Sequence, residues 1–198
     1  KEYFYNYRIT QNDYTLDFNP KTSPEFHNLR ENNNWKISFI DTGLETLKGA
    51  RIKRIEKYIT TSNFHLTYGD GLSNVNLKKL ISFHKKSNSI ATLTAVRPPV
   101  RFGEIKLSSK GKVKEFNEKP QASSNWINGG FFVMNKKIFD YLKNDQTILE
   151  RYTLEKLVKN KKLSAFKHFS FWQCMDTMRD KIYLNKLWKE NKTPWKKW

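Results

Sequence analysis

Cysteine is almost absent. Cys174 is the only one in 198 residues, which excludes an internal disulfide framework and a cysteine-based zinc site and fits a reducing, cytoplasmic setting. No apolar run is long enough to span a bilayer, and no signal-peptide pattern opens the chain. His27, His65, His84 and His168 lack the spacing of metal ligands and read as structural or surface residues. No internal repeat or low-complexity block occurs. Acidic residues are few, with 19 Asp and Glu against 37 Lys and Arg, a net charge of +18. Such an excess suits nucleic acid, a membrane surface or a phosphate-rich substrate. The positive charges run from Lys1 to Lys197 rather than gathering in one stripe, as a general compositional bias would leave them. A basic surface of that kind still draws in a nucleoside triphosphate.

What is present is enough to build a core. Hydrophobic residues make up 37% and aromatics 15%, with 14 Phe and 6 Trp, which rules out general disorder. The length suits one domain or one domain with a small annex. Residues 1–7 read as the end of an amphipathic helix with neither an initiator Met nor a cap, so the chain is expected to begin inside a fold. Residues 11–34 read as a long polar connection with one short strand near 14–18, and the alternating WKISFID (35–41) reads as a strand. A helix over 50–58 should face Ile52 and Ile55 inward. A strand comes next at 63–68, then a helix with Asn74 as a candidate cap. The β-branched 90–96 reads as a buried strand. A hairpin over 104–107 and 113–118, a strand at 126–134 and helices at 136–143 and 151–160 succeed it. A strand at 163–169, a loop at 170–177 and a helix over 178–190 close the pattern. Strands alternating with helices argue for an α/β architecture with a mostly parallel sheet, whose ligand crevice lies beyond the carboxyl ends of the strands.

Six stretches stand out against that background. LTYGDGLSN (66–74) puts Asp70 between Gly69 and Gly71 where a strand ends. Asp-Gly is also an ordinary turn pair. FWQCMDT (171–177) puts Asp176 after another strand. Two carboxylates together with substrate phosphates are the usual way to hold Mg2+, which keeps several waters and needs few protein ligands. In FNEKP (116–120), Glu118 can accept sugar hydroxyls and Lys119 can meet a phosphate; the bland alternative is a solvated pair before a turn. In NWINGGFFVMN (125–135), Gly129 and Gly130 weaken a strand unless a bulge or a ligand needs the room, and Asn128 offers donors and acceptors beside them. RPPVRFGEI (97–105) leads into the hairpin at Gly103, and DTGLETLKGARIKR (41–54) is a Thr/Gly loop before a basic helix.

The ordered set YGDG, RFG, EKP, NGGFF and FW..MDT resembles the sugar-phosphate nucleotidylyltransferases. The DTG loop, FWQ.MDT.RDK and the closing PWK.W narrow the resemblance to the glucose-1-phosphate cytidylyltransferases, along essentially the whole chain. The resemblance implies a Rossmann-like mixed, mostly parallel sheet flanked by helices, without its first βα units, in a single catalytic domain ending in a helix and tail over 178–198. It implies Mg2+ on Asp70 and Asp176, with Gly69 against the nucleotide. Glu118 and Lys119 would bind the hexose and its phosphate, with Gly103, Asn128 and Gly129 lining the sugar pocket. Thr46 and Arg51 would reach the triphosphate, within the same subunit or across to a neighbour in an oligomer. Asp70, Asp176 and Lys119 would carry the catalytic roles. The implied reaction joins CTP and glucose 1-phosphate into CDP-glucose and pyrophosphate, for deoxysugar and surface-polysaccharide synthesis, with no nucleic-acid partner and no membrane insertion. Rival readings are a relative using dTTP or UTP and a basic nucleic-acid-binding module. LKGAR stands where a TGGR-like run is usual in the family. The family's Gly-rich GG.GTR loop and KPKP lysine do not occur in these 198 residues, so the chain is expected to lack that nucleotide-binding segment and to have little activity by itself.

Overall fold

A computed structural model describes residues 1–27, 35–98, 103–117 and 125–197. The chain clusters into two compact units, Lys1–Asp41 and Thr42–Trp198. In the first, helices α1 (Glu2–Tyr5) and α2 (Tyr7–Gln11) precede an antiparallel pair, β1 (Asp13–Thr15) and β2 (Glu25–His27). Residues 35–41 form no strand, a correction to the alternation-based expectation. Their apolar side chains meet α1 and α2 instead of a sheet: Phe39 packs on Phe4 and Trp35 on Tyr7, with ring centroids 5.7 and 6.0 Å apart.

The second unit begins with α3 (Lys48–Arg54) and a 3-10 turn, Glu56–Tyr58. Then come β3 (Asn63–Thr67), β4 (Gly71–Ser73), α4 (Leu77–Ser87) and β5 (Ala91–Val96). The hairpin strands β6 (Glu104–Leu107) and β7 (Val113–Asn117) precede β8 (Ile127–Asn135). A 3-10 helix (Lys136–Tyr141) and a π-helical segment (Leu149–Leu154) lead into α5 (Glu155–Lys159). β9 (Leu163–Lys167), β10 (Trp172–Cys174) and α6 (Met178–Lys189) complete it.

The main sheet has the order β3-β8-β5-β9. β8 runs antiparallel to both neighbours and β9 parallel to β5, so three strands share one direction and β8 alone is reversed. The alternating pattern calls for an α/β architecture with a mostly parallel sheet; the architecture is α/β and three strands run one way, but with β8 inserted between β3 and β5 two of the three pairings are antiparallel. β5 and β8 are central because both are apolar on both faces, as strands covered on two sides must be. Ala91, Val96, Phe132, Val133 and Met134 are at most 1% exposed. α4 packs on this sheet through Leu80. Its cap is Asn76, whose side chain accepts from the Lys79 amide at 2.9 Å, rather than Asn74. The Asn74 amide is spent on Ser170 Oγ at 2.9 Å, fastening the end of β4 to the segment before β10. β10 itself lies in the stretch read as a loop. It is too short and too polar to signal a strand, and only its pairing with β4 makes it one. No helix among the described residues is long and apolar enough to cross a membrane.

One polar group sits inside this packing. His84 of α4 is 3% exposed and its ring nitrogens meet Thr92 Oγ1 at 2.8 Å and Asn63 Oδ1 at 3.2 Å. Burial, with the nearby His65, holds its pKa below the usual imidazole value. The unfolded chain therefore takes up a proton that the folded chain refuses, and His84's contribution to stability is lost as pH falls below about 6.5. In urea unfolding, the stability advantage of wild type over His84→Gln should shrink as pH is lowered from about 7.5 to about 5. A constant gap would mean that His84 is not held neutral.

Candidate functional site

The β3 strand stops because its partner β8 changes course. Leu93 of β5 faces Phe132, yet Ala95 faces Asn128, so β8 carries a two-residue bulge at Gly129–Phe131. Both glycines have a structural reason. A Cβ on Gly129 would lie 2.8 Å from Val96 Cγ1 and 3.0 Å from the Thr94 carbonyl oxygen. Gly130 has φ +77°, the left-handed region that bulge glycines supply. The Tyr68 amide still bonds the Gly130 carbonyl at 3.0 Å; after that the chain leaves the sheet through Gly69 and Asp70.

Beyond Asp70 the chain enters a two-stranded ribbon. β4 pairs antiparallel with β10, Gly71 opposite Cys174 and Ser73 opposite Trp172, and the Met175 amide extends the ladder to the Asp70 carbonyl at 2.8 Å. Asp176 is the next residue. Behind it, Thr177 caps α6 in a reciprocal box with Asp180, and Asp180 also accepts from Gln173 of β10 at 3.0 Å. The backbone is thus fixed on both sides of Asp176. Both aspartates are exposed and emerge at the same end of one ribbon. Trp172 Nε1 donates to the Gly129 carbonyl at 2.8 Å, anchoring the ribbon on the bulge. Distant sequence segments holding Gly69, Asp70, Asn128, Gly129 and Asp176 are joined in this way.

A second set of polar residues meets the same place. The Tyr68 hydroxyl donates to Glu150 Oε1 at 2.8 Å. Lys48 is ion-paired with that carboxylate, and its Nζ lies 4.9 Å from the centre of the Tyr68 ring. Burial pushes the Tyr68 phenol well above its ordinary pKa. The Glu150 hydrogen bond and charge add to this, a hydrogen bond from Asn128 opposes it, and the Asp70 charge raises it further. Burial also pushes the Glu150 carboxyl up, but the hydrogen bonds from Lys48 and Tyr68 outweigh it and the net shift is downward.

Thr46 is 8% exposed in the loop before α3. The Arg51 guanidinium turns back on that loop, donating to Thr42 Oγ1 at 2.9 Å and the Leu44 carbonyl at 2.7 Å. Arg54 grips Asp145 with two donors, at 3.2 and 2.7 Å. The described route from this loop to the ribbon is through Lys48. Gly103 directly precedes β6, which forms a separate two-stranded sheet with β7. Glu118 and Lys119 lie outside the described residues. Sequence reasoning missed Lys48, Tyr68, Glu150 and Trp172. The available signals were the LKGAR departure and a Tyr directly before GDG.

Two exposed carboxylates suit a divalent cation that completes its coordination with phosphate oxygens and water. Among the described residues no group of three or more His, Cys, Asp or Glu side chains converges, so these residues do not build an all-protein cage; a pair is the number Mg2+ commonly takes.

Residues 18–180 match the family model described as nucleotidyl transferase. The chain is 42% identical to glucose-1-phosphate cytidylyltransferase of Salmonella typhi and 40% identical to a probable glucose-1-phosphate cytidylyltransferase of Bacillus subtilis, in each case over all of this chain and 76% of the relative. The chain belongs to the glucose-1-phosphate cytidylyltransferase family of nucleotidyl transferases. The fold agrees at lower identity. HddC from Yersinia pseudotuberculosis superposes with a TM-score of 0.58 at 23% identity, over 80% of this chain and 70% of that one. A UDP-glucose pyrophosphorylase complexed with UDP-glucose gives 0.55 at 18%, over 78% and 66%.

In this member of the cytidylyltransferase family the glycines of the two motifs differ in kind. A Cβ on Gly69 meets nothing within 4 Å, so no protein atom demands a glycine there, whereas Gly129 is pressed against β5. Gly69→Ala should leave the unfolding free energy within about 0.5 kcal/mol of wild type. Gly129→Ala should lower it by about 1–3 kcal/mol, the usual range for overpacking. Equal losses in urea titrations would refute the distinction.

Proposed function

We propose that the protein transfers a cytidylyl group from CTP to glucose 1-phosphate, giving CDP-glucose and pyrophosphate. The observation that supports this reading is the β4–β10 ribbon, at one end of which both Asp70 and Asp176 leave the ladder, in a chain of this family. A phosphate oxygen of the sugar phosphate attacks the α-phosphorus of CTP in line. The bond from that phosphorus to the bridging oxygen breaks, and pyrophosphate leaves with its electron pair. The attacking oxygen is already ionised, so no side chain has to remove a proton, and positioning with charge neutralisation supplies the rate. Mg2+ held by Asp70 and Asp176 would offset the charge on the transferring phosphoryl group. Gly69 leaves room for the nucleotide. Glu118 and Lys119 receive the hexose and its phosphate, with Gly103, Asn128 and Gly129 shaping the sugar pocket. Thr46 and Arg51 reach the triphosphate, in the same subunit or a neighbouring one of an oligomer. The product would serve deoxysugar synthesis for surface polysaccharides.

The test is pyrophosphate release from each of the four nucleoside triphosphates in the presence of glucose 1-phosphate. It is run on the 198-residue chain and on a version carrying a GG.GTR and KPKP segment at its N-terminus. Release with CTP and not with dTTP or UTP is expected from the extended version, with little from the 198-residue chain alone, and Asp176→Asn in the extended version should lower turnover by about a hundredfold or more, as removal of a transition-state charge contact does. Turnover that ignores the base, or an Asp176→Asn protein with normal turnover, would overturn the reading.

A further inference from the structure

A cavity of about 400 Å3 lies along the segment that joins the 3-10 helix to the π-helical turn, lined by Tyr141, Lys143, Gln146, Thr147, Tyr152 and Lys156. No residue of the ribbon reaches it, and no carboxylate lines it. Neither lysine is ion-paired among the described residues. Asp145, the one acid in the turn 144–147, is taken by Arg54. Lys156 Nζ sits 5.6 Å from the centre of the Tyr141 ring, and Asn160 Nδ2 donates to the Tyr141 hydroxyl at 3.3 Å, which fixes that wall. Tyr152 is 64% exposed, and its ring stacks on no other ring among the described residues. The volume falls in the range of small-molecule sites. Unpaired lysines suit phosphate, and an open aromatic face suits a planar ring.

The floor of the cavity is tied to another part of the molecule. Thr147 is 5% exposed. Its Oγ1 accepts from the Asn144 amide at 3.1 Å and donates to Asn144 Oδ1 at 3.2 Å, so the turn is one stiff piece. The Thr147 carbonyl accepts from the Gly49 amide at 3.0 Å. A Cβ on Gly49 would lie 2.6 Å from that carbonyl oxygen, so the turn and the start of α3 touch without slack. Thr46 stands just before α3, and Arg51 is part of it.

We propose that this cavity is a second binding site, for a nucleoside diphosphate, with its phosphates at Lys143 and Lys156 and its base on Tyr152, and that its occupancy is passed through the Thr147–Gly49 contact to the loop of Thr46 and Arg51. That this contact regulates triphosphate binding rests on the function proposed above; the site itself does not. Coupling of this kind is reciprocal, so a nucleotide held by the loop would in turn change the affinity of the cavity.

The experiment titrates the 198-residue chain carrying Asp70→Asn and Asp176→Asn with CDP in the absence of Mg2+, followed by nitrogen-15 NMR. The two substitutions remove the carboxylates of the ribbon, so binding elsewhere is what remains to be seen. The backbone amide signals of Gln146 and Thr147 should shift and saturate with CDP, and the Gly49 signal should follow the same curve. Adding Lys143→Ala and Lys156→Ala should weaken that binding about tenfold or more, the scale of losing a hydrogen bond to a charged group. Cytidine and inorganic pyrophosphate should each bind more weakly than CDP. Gln146 and Thr147 signals that stay in place, or pyrophosphate binding as tightly as CDP, would overturn the site. So would lysine substitutions that change the oligomeric state and leave CDP affinity alone, since a second copy of the chain would then be the occupant. A Gly49 signal unmoved while Thr147 shifts would overturn the transmission. None of these readouts uses turnover, so a failure of cytidylyl transfer shows separately, in the pyrophosphate-release assay.

Discussion

The bulge in β8 is the constraint on which the site depends. One residue of β5, Thr94, passes beside three of β8, Gly129–Phe131, and only glycine tolerates both the close approach to Val96 and the left-handed turn next to it. The bulge turns the Gly129 carbonyl out of the regular ladder to accept Trp172 Nε1, and it turns Asn128 onto the Gly130 amide. Without it the β4–β10 ribbon would lose its Trp172 anchor on β8, and Tyr68 would lose the shelf for its ring.

Charge is used sparingly. The basic excess provides a general attraction for phosphates, while the scarce acids are placed where one is needed. Asp70 and Asp176 stand exposed at one end of the ribbon. Glu150 is half-buried and engaged by Lys48 and Tyr68, which keeps it ionised and still. A carboxylate held in that way serves geometry better than it serves proton transfer.

Much of this was legible in the sequence. Alternating strands and helices, the hairpin, and the GDG, NGGFF and MDT motifs are local patterns whose meaning does not depend on distant partners. The Gly129–Gly130 pair even announced a bulge or a ligand, and the structure gives the bulge. Features that live in tertiary pairing were not legible. WKISFID alternates like a strand, but it packs on small helices. Gln173 and its neighbours read as loop until β4 lies beside them. Asn74 and Asn76 are equally good caps on paper, and Ser170 decides between them. The Lys48–Glu150 pair spans 102 residues of sequence, and no local spacing points to it.

The central claim is that Asp70 and Asp176 act as one divalent-cation site. Titration of the chain with Mn2+ in the presence of CTP, followed by electron paramagnetic resonance, tests it most directly. Wild type should bind one ion that Mg2+ displaces, and Asp70→Asn and Asp176→Asn should each abolish that binding. Retention of wild-type Mn2+ affinity in either variant would contradict it.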